Sequence, residues 1–126
     1  MTIGKLILST LLVFGAMVSH ALEVKPYSAA ALAEAQKAGK PVALHFHADW
    51  CPTCRAQEKV LQGLKSEAGL DLTVLVANYD TEKSLKRRFN VRAQSTLVVL
   101  HGEKETYRVV GDTSPGGIRG ALKSAL

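Results

Sequence analysis

The sequence has only two cysteines, Cys51 and Cys54, with two residues between them. A secreted scaffold stapled by disulfides uses more, spread along the chain. A bridge closing so small a loop removes little unfolded-state entropy and stabilises little. With no second pair, a four-cysteine zinc site from one chain is excluded. Long apolar runs are also lacking. The run from Leu6 to Val18 is broken by Ser9, Thr10 and Gly15 and is shorter than the ~20 residues that span a bilayer. Aromatics make up 6% of the chain and no basic stripe is interleaved with them, so the net charge of +5 offers only weak, salt-sensitive attraction. A nucleic-acid partner is not expected. There is no internal repeat, low-complexity tract or linker, and 126 residues with 47% hydrophobic and 21% charged side chains suit one globular domain.

What is present begins with an N-terminal segment of distinct character. Lys5 precedes the apolar run, and Ser19-His20-Ala21 places small residues at the two positions a signal peptidase reads. Residues 1–21 are therefore expected to be a signal peptide, and the protein to be periplasmic or secreted. The remaining 105 residues, 22–126, form the domain; the segment removed holds one lysine and no acidic residue, leaving +4.

Along the domain, Ser28 is expected to cap a helix running to Ala38, with Gly39 at its end and Pro41 beyond. Pro41 to His47 alternates as a strand, and Pro52 to Leu64 follows as a helix. Asp71 to Asn78 reads as a strand and Thr81 to Phe89 as a short polar helix. Thr96 to His101 and Glu105 to Val110 make a hairpin around Gly102. Ser114 caps a last helix with Pro115 at its first position and Ile118, Ala121, Leu122, Ala125 and Leu126 on one face. The crossover rule makes the first two strands parallel, and the hairpin adds antiparallel ones. An α/β fold results, with a mixed sheet between two layers of helices.

Chemistry concentrates where the strand ending at His47 runs through Ala48-Asp49-Trp50 into Cys51-Pro52-Thr53-Cys54. That junction puts Cys51 near the helix N-cap and Pro52 at the first helical position, where its missing N–H costs nothing. Unpaired N–H groups and the helix dipole favour an anion there, and the thiolate is the reactive form of cysteine. Cys51 is thus the attacking sulfur, and Cys54, one turn deeper, the resolving one. Placement at a strand-to-helix junction favours redox chemistry over metal binding.

Several segments resemble the thioredoxin superfamily: Lys40 through Cys54, the strand ending Asn78-Tyr79-Asp80, Phe89 through Leu100, and Val110-Gly111. The resemblance implies a thioredoxin-like three-layer sandwich with a four- or five-stranded mixed sheet, and dithiol–disulfide exchange without a cofactor. It implies protein substrates docking over the Trp50–Cys51 edge, with Pro52, Thr53, Ser95 and Thr96 in the binding surface. Two positions depart from the family. Ser95-Thr96 stands where a cis-proline and threonine are usual; a cis bond before a non-proline residue costs ~2.5–4 kcal/mol, so a trans bond is expected. Ser95 is either a tolerated substitution, the preferred reading, or a hydroxyl beside the cysteines that alters thiolate stabilisation or admits metal. His45 stands where a buried carboxylate is common. It either takes the proton of Cys54, since histidine titrates near neutrality, or is a buried, hydrogen-bonded strand residue. His47 shares its side of the strand and reads as the latter.

Other candidates are weaker. Arg55 and Lys59 read as surface charge, as do Lys83, Lys86, Arg87, Arg88 and Arg92 on the short helix, and His101 as an exposed hairpin residue. The expected function is an exported, monomeric thiol–disulfide oxidoreductase served by a membrane or soluble redox partner. A reductase or isomerase role is preferred, because the chain has no room for the helical insertion of dedicated disulfide-introducing oxidases. The alternatives are a non-catalytic partner-binding module and a metal or iron–sulfur carrier built on the two cysteines.

Overall fold

The computed structural model describes Leu12, Val13, Gly15 and residues 21–126, so the expected signal segment lies almost wholly outside the described residues. Among these residues no helix is long and apolar enough to cross a membrane. The elements are β1 (Glu23–Pro26), α1 (Ala29–Lys37), β2 (Pro41–His47), α2 (Pro52–Leu64), β3 (Thr73–Asn78), α3 (Lys83–Arg88), β4 (Thr96–His101), β5 (Lys104–Val110) and α4 (Pro115–Lys123). One five-stranded sheet has the order β1-β3-β2-β4-β5. β1 and β2 run parallel to β3, while β4 is antiparallel to both β2 and β5.

The caps form where the hydroxyls stand. Ser28 Oγ accepts from Ala31 N at 3.1 Å and Ser114 Oγ from Gly117 N at 3.1 Å, each pairing a donor that the first helical turn leaves unsatisfied. Alternation along the strands sorts the side chains into two cores. Val42, Leu44 and Phe46 of β2 join Val98 and Leu100 of β4 beneath Leu32 of α1 and Leu85 of α3. Ala43, Leu97 and Val99 face the opposite layer, where they meet Leu61 and Leu64 of α2 and Ile118, Ala121 and Leu122 of α4. His45 and His47 project to this second side, their ring centroids 5.5 Å apart. The β4–β5 turn holds Gly102 at φ +59°, and a Cβ there would sit 3.3 Å from the Gly39 Cα.

The structure corrects the sequence reading in three places. β1 is an additional strand: Glu-Val-Lys-Pro shows no apolar alternation, is mostly exposed, and is specified by its pairing with β3 from Glu23↔Thr73 to Pro26↔Val76. Asp71 and Leu72 precede β3, and Thr81 and Glu82 precede α3, so both elements are shorter than expected. α4 stops at Lys123, so Leu126 falls beyond the helix and is exposed, although Ala125 remains buried.

Candidate active site

β2 and α2 bring the two cysteines together. The chain leaves β2 at His47, turns with Cys51 N donating to Ala48 O at 3.0 Å, and enters α2 with Cys51 as N-cap and Pro52 in the first turn. Cys51 Sγ accepts from Cys54 N at 3.3 Å. The sulfur occupies the place usually taken by a serine or aspartate oxygen, at the positive end of a 13-residue helix. Burial tends to raise the Cys51 pKa, but the neighbouring Cys54 thiol, the Ser95 hydroxyl and the N–H groups of Cys54 and Thr53 outweigh it and hold the value below that of an ordinary thiol. Cys54 lies deeper, fully buried, with no helix-start amides aimed at it. Burial, together with the neighbouring Cys51 sulfur, keeps its pKa raised against the opposing Ser95 hydroxyl. Both cysteines are free thiols. The environment thus favours the thiolate at Cys51 relative to Cys54.

Ser95 stands directly against this pair. Its Oγ is 3.0 Å from Cys54 Sγ and 3.3 Å from Cys51 Sγ. There is no cis peptide bond among the described residues, and Ser95 has φ +62°, the left-handed region that costs a non-glycine residue about 1–2 kcal/mol. Its backbone is held on both sides. Ser95 N donates to Phe46 O at 3.0 Å, while Ser95 O accepts from Gly111 N at 3.0 Å and from Gln57 Nε2 at 3.0 Å. The fold thus places a hydroxyl beside the cysteines where the family's proline is usual.

Gln57 is the residue that sequence reading missed. It is buried on α2 one turn after Cys54, a polar residue in the otherwise apolar stripe that continues through Leu61 and Leu64. That interruption was the available signal. Its amide nitrogen donates to two carbonyls, Ser95 O and Asp112 O at 2.9 Å. Its Oε1 must therefore be the acceptor facing His45 Nε2 at 2.9 Å, and that imidazole nitrogen carries the proton. His45 is buried, and neither sulfur is among its hydrogen-bond partners. Desolvation first, then the charge of His47, lowers its pKa to about 4 against the opposing Gln57 hydrogen bond. At neutral pH His45 is uncharged, its Nε2 proton is engaged, and it is a weak base for a thiol. The structure places it as an anchor of Gln57.

The remaining predicted residues divide by exposure. Trp50 is 59% exposed and its Nε1 donates to Asp80 Oδ2 at 2.8 Å, which fixes the indole at the rim. Pro52 is exposed and Thr53 half-buried beside Cys51. Thr96 is buried, its hydroxyl donating to Ala93 O at 2.7 Å, so its side chain does not reach the surface. Tyr79 packs against Ala48, Cys51 and Cys54. A shallow hollow lined by His47, Asp49, Trp50 and Asp80 adjoins the site. His47 Nε2 lies 2.9 Å from Asp49 Oδ1, with Glu58 at 3.9 Å. Arg55 and Lys59 are exposed and contact neither sulfur through a hydrogen bond. His101 is exposed, as expected, and its Nδ1 lies 2.7 Å from Ala125 O. Among the described residues, no group of three histidine, cysteine or acidic side chains converges as a metal site would require.

The Thioredoxin family model matches residues 24–124. The chain is 31% identical over 88 residues to a thioredoxin of Mycobacterium tuberculosis, covering 70% of this chain and 76% of that one. It is 33% identical over 79 residues to a bifunctional thioredoxin reductase/thioredoxin of Mycobacterium leprae, covering 63% of this chain but only 17% of that longer protein. The crystal structure of Trxlp from Edwardsiella tarda superposes with a TM-score of 0.74 at 40% identity, covering 79% of this chain and 98% of the other. With the sheet order, the cysteine pair at the start of α2 and these similarities together, the chain belongs to the thioredoxin family of thiol–disulfide oxidoreductases.

Proposed function

We propose that the protein is an exported oxidoreductase that reduces or rearranges disulfides of protein substrates in the periplasm or outside the cell. The observation that carries this reading is the split between the sulfurs: Cys51 is held toward the thiolate at the start of α2 and Cys54 is held as a thiol one turn further along it. The Cys51 thiolate attacks one sulfur of a substrate disulfide. A mixed disulfide forms, and the other substrate sulfur leaves as a thiolate and takes a proton from solvent. Cys54 then loses its proton and attacks Cys51 Sγ. The second substrate sulfur leaves, and the Cys51–Cys54 disulfide remains. The substrate has gained two electrons and two protons, so a membrane or soluble dithiol partner must reduce the domain for another turn.

The rim supports a protein substrate. Trp50 and Pro52 are exposed beside Cys51, and a flat docking edge suits an extended chain better than a small molecule. The reductive direction is supported by the short passage from α2 to β3 through residues 65–72, which carries no inserted helical unit. Export is supported by the composition of residues 1–21.

The test is reduction of a protein disulfide together with equilibration against glutathione. Cys51→Ser is expected to abolish turnover, and Cys54→Ser to accumulate the mixed disulfide. Failure of the wild-type protein to form an internal disulfide sinks the oxidoreductase reading. A potential near the oxidising end of the superfamily, about −120 mV against about −270 mV at the reducing end, sinks the reductive direction. Mass analysis of protein recovered from the periplasm should find a chain starting at Leu22; retention of residues 1–21 on a cytoplasmic product contradicts export.

A further inference from the structure

We propose that the Ser95 hydroxyl is a positioning residue that links the Cys51 thiolate and the Cys54 thiol in one hydrogen-bonded chain and so sets the redox poise of the pair. The proposal deepens the oxidoreductase reading and rests on it.

A buried hydroxyl must find hydrogen-bond partners within the fold. Ser95 is 3% exposed, and its Oγ has both sulfurs within hydrogen-bond reach, at 3.0 and 3.3 Å. A hydroxyl offers one donor and can accept at its lone pairs. With one proton shared between two sulfurs, the hydroxyl completes the chain by accepting from the sulfur that keeps the proton and donating to the one that lacks it. The N–H groups of Thr53 and Cys54 and the helix start favour charge on Cys51. The chain therefore runs from Cys54 S–H to Ser95 Oγ, and from Ser95 O–H to the Cys51 thiolate. No proton is gained or lost in this arrangement, and no oxidant enters it.

Backbone geometry shows that the placement is imposed. The chain accepts a positive φ at Ser95, and β2, α2 and the turn after β5 each hold that residue by a hydrogen bond to its main chain. Such a conformation persists only when the surroundings over-determine it. The family's proline has no hydroxyl and cannot adopt φ near +62°. This chain has thus exchanged a ring that packs for a group that donates.

A disulfide sulfur accepts a hydrogen bond far less well than a thiolate, so the hydroxyl stabilises the reduced form more than the oxidised one. Stabilising the reduced form makes a dithiol pair more oxidising. Removing the hydroxyl should make the pair more reducing and leave less Cys51 as thiolate at neutral pH.

Ser95→Ala removes only the hydroxyl and keeps the backbone demand. Ser95→Gly removes the hydroxyl and relieves that demand, because glycine enters the left-handed region freely, which guards against a variant that fails to fold. Two readings are taken: thiolate absorbance against pH, and the equilibrium with glutathione. Both variants are expected to raise the Cys51 pKa by about one unit. Both should shift the glutathione equilibrium roughly tenfold toward the disulfide, equivalent to about 30 mV for this two-electron couple. A purely structural role would leave Ala like wild type or make Ala and Gly differ with their stabilities. Thiolate titrations of both variants within twofold of wild type overturn the proposal. The absorbance arm needs no disulfide exchange, so it judges the hydroxyl even where failure of wild-type exchange has overturned the oxidoreductase reading.

Discussion

His45 should make this fold lose stability on mild acidification, before its carboxylates titrate. Its pKa falls from 6.5 to about 4, first through burial in the layer under α2 and then through the neighbouring His47. An unfolded chain therefore takes up the proton as pH drops through 6.5, while the folded chain resists until about pH 4. Protons bound preferentially by the unfolded state lower stability as pH falls. The contribution is fully present above about pH 7, is lost progressively down to about pH 4, and changes no further below that. Two and a half units at about 1.4 kcal/mol each give a total near 3 kcal/mol, of which about 2 kcal/mol is already gone at pH 5. For a domain of this size that is a thermal midpoint roughly 10 °C lower, or a urea midpoint roughly 1 M lower. The control is His45→Gln, which keeps an N–H donor toward Gln57 and cannot titrate. Urea melts of both reduced proteins at pH 7 and pH 5 isolate the effect. Asp112, lowered by hydrogen bonds from Ser114, and Glu67, lowered by Arg119, act mainly below pH 5 and are common to both proteins. Equal losses in wild type and His45→Gln, or a His45 imidazole resonance titrating near 6.5, refute the reasoning.

The same framework makes three further predictions. Gln57→Leu leaves His45, Ser95 and Asp112 without their shared partner. It should cost about 3 kcal/mol in denaturant melts, and hydrogen exchange should quicken at Ser95 and Gly111, whereas Lys59→Ala on the exposed face of α2 should change neither. Leu122→Ala, at a fully buried position of α4, should cost about 2–5 kcal/mol by cavity formation; a loss under 1 kcal/mol would mean that α4 does not pack as described. Ser95→Pro cannot keep φ near +62° and removes the N–H that binds Phe46 O, so amide shifts should move throughout β2, the turn at Gly111 and the start of α2; shifts confined to the neighbours of residue 95 would contradict the structure.

Much of the architecture was legible because it is written in local signals. Ser28 and Ser114 cap helices, Gly39 takes φ +65° after α1, and the alternation in Pro41–His47 and Thr96–His101 assigns each side chain to a core. The placement of the cysteine pair was legible for the same reason: Cys51, Pro52 and Cys54 take their positions from one helix start. β1 was not, since an edge strand of exposed residues has no pattern of its own and exists through its partner. Gln57 carried a faint local signal as a polar interruption of a buried stripe.

The sequence by itself therefore determined the order of elements, the two faces of the sheet and which cysteine caps the helix, because each depends on residues a few positions apart. Only the tertiary structure decided what surrounds those sulfurs. Ser95 reaches them across 41 and 44 positions of chain, Gln57 binds His45 across 12 positions and Asp112 across 55, and His45 becomes a neutral anchor through burial. Hydrogen-bond geometry and desolvation arise when distant segments pack, and no local pattern encodes them.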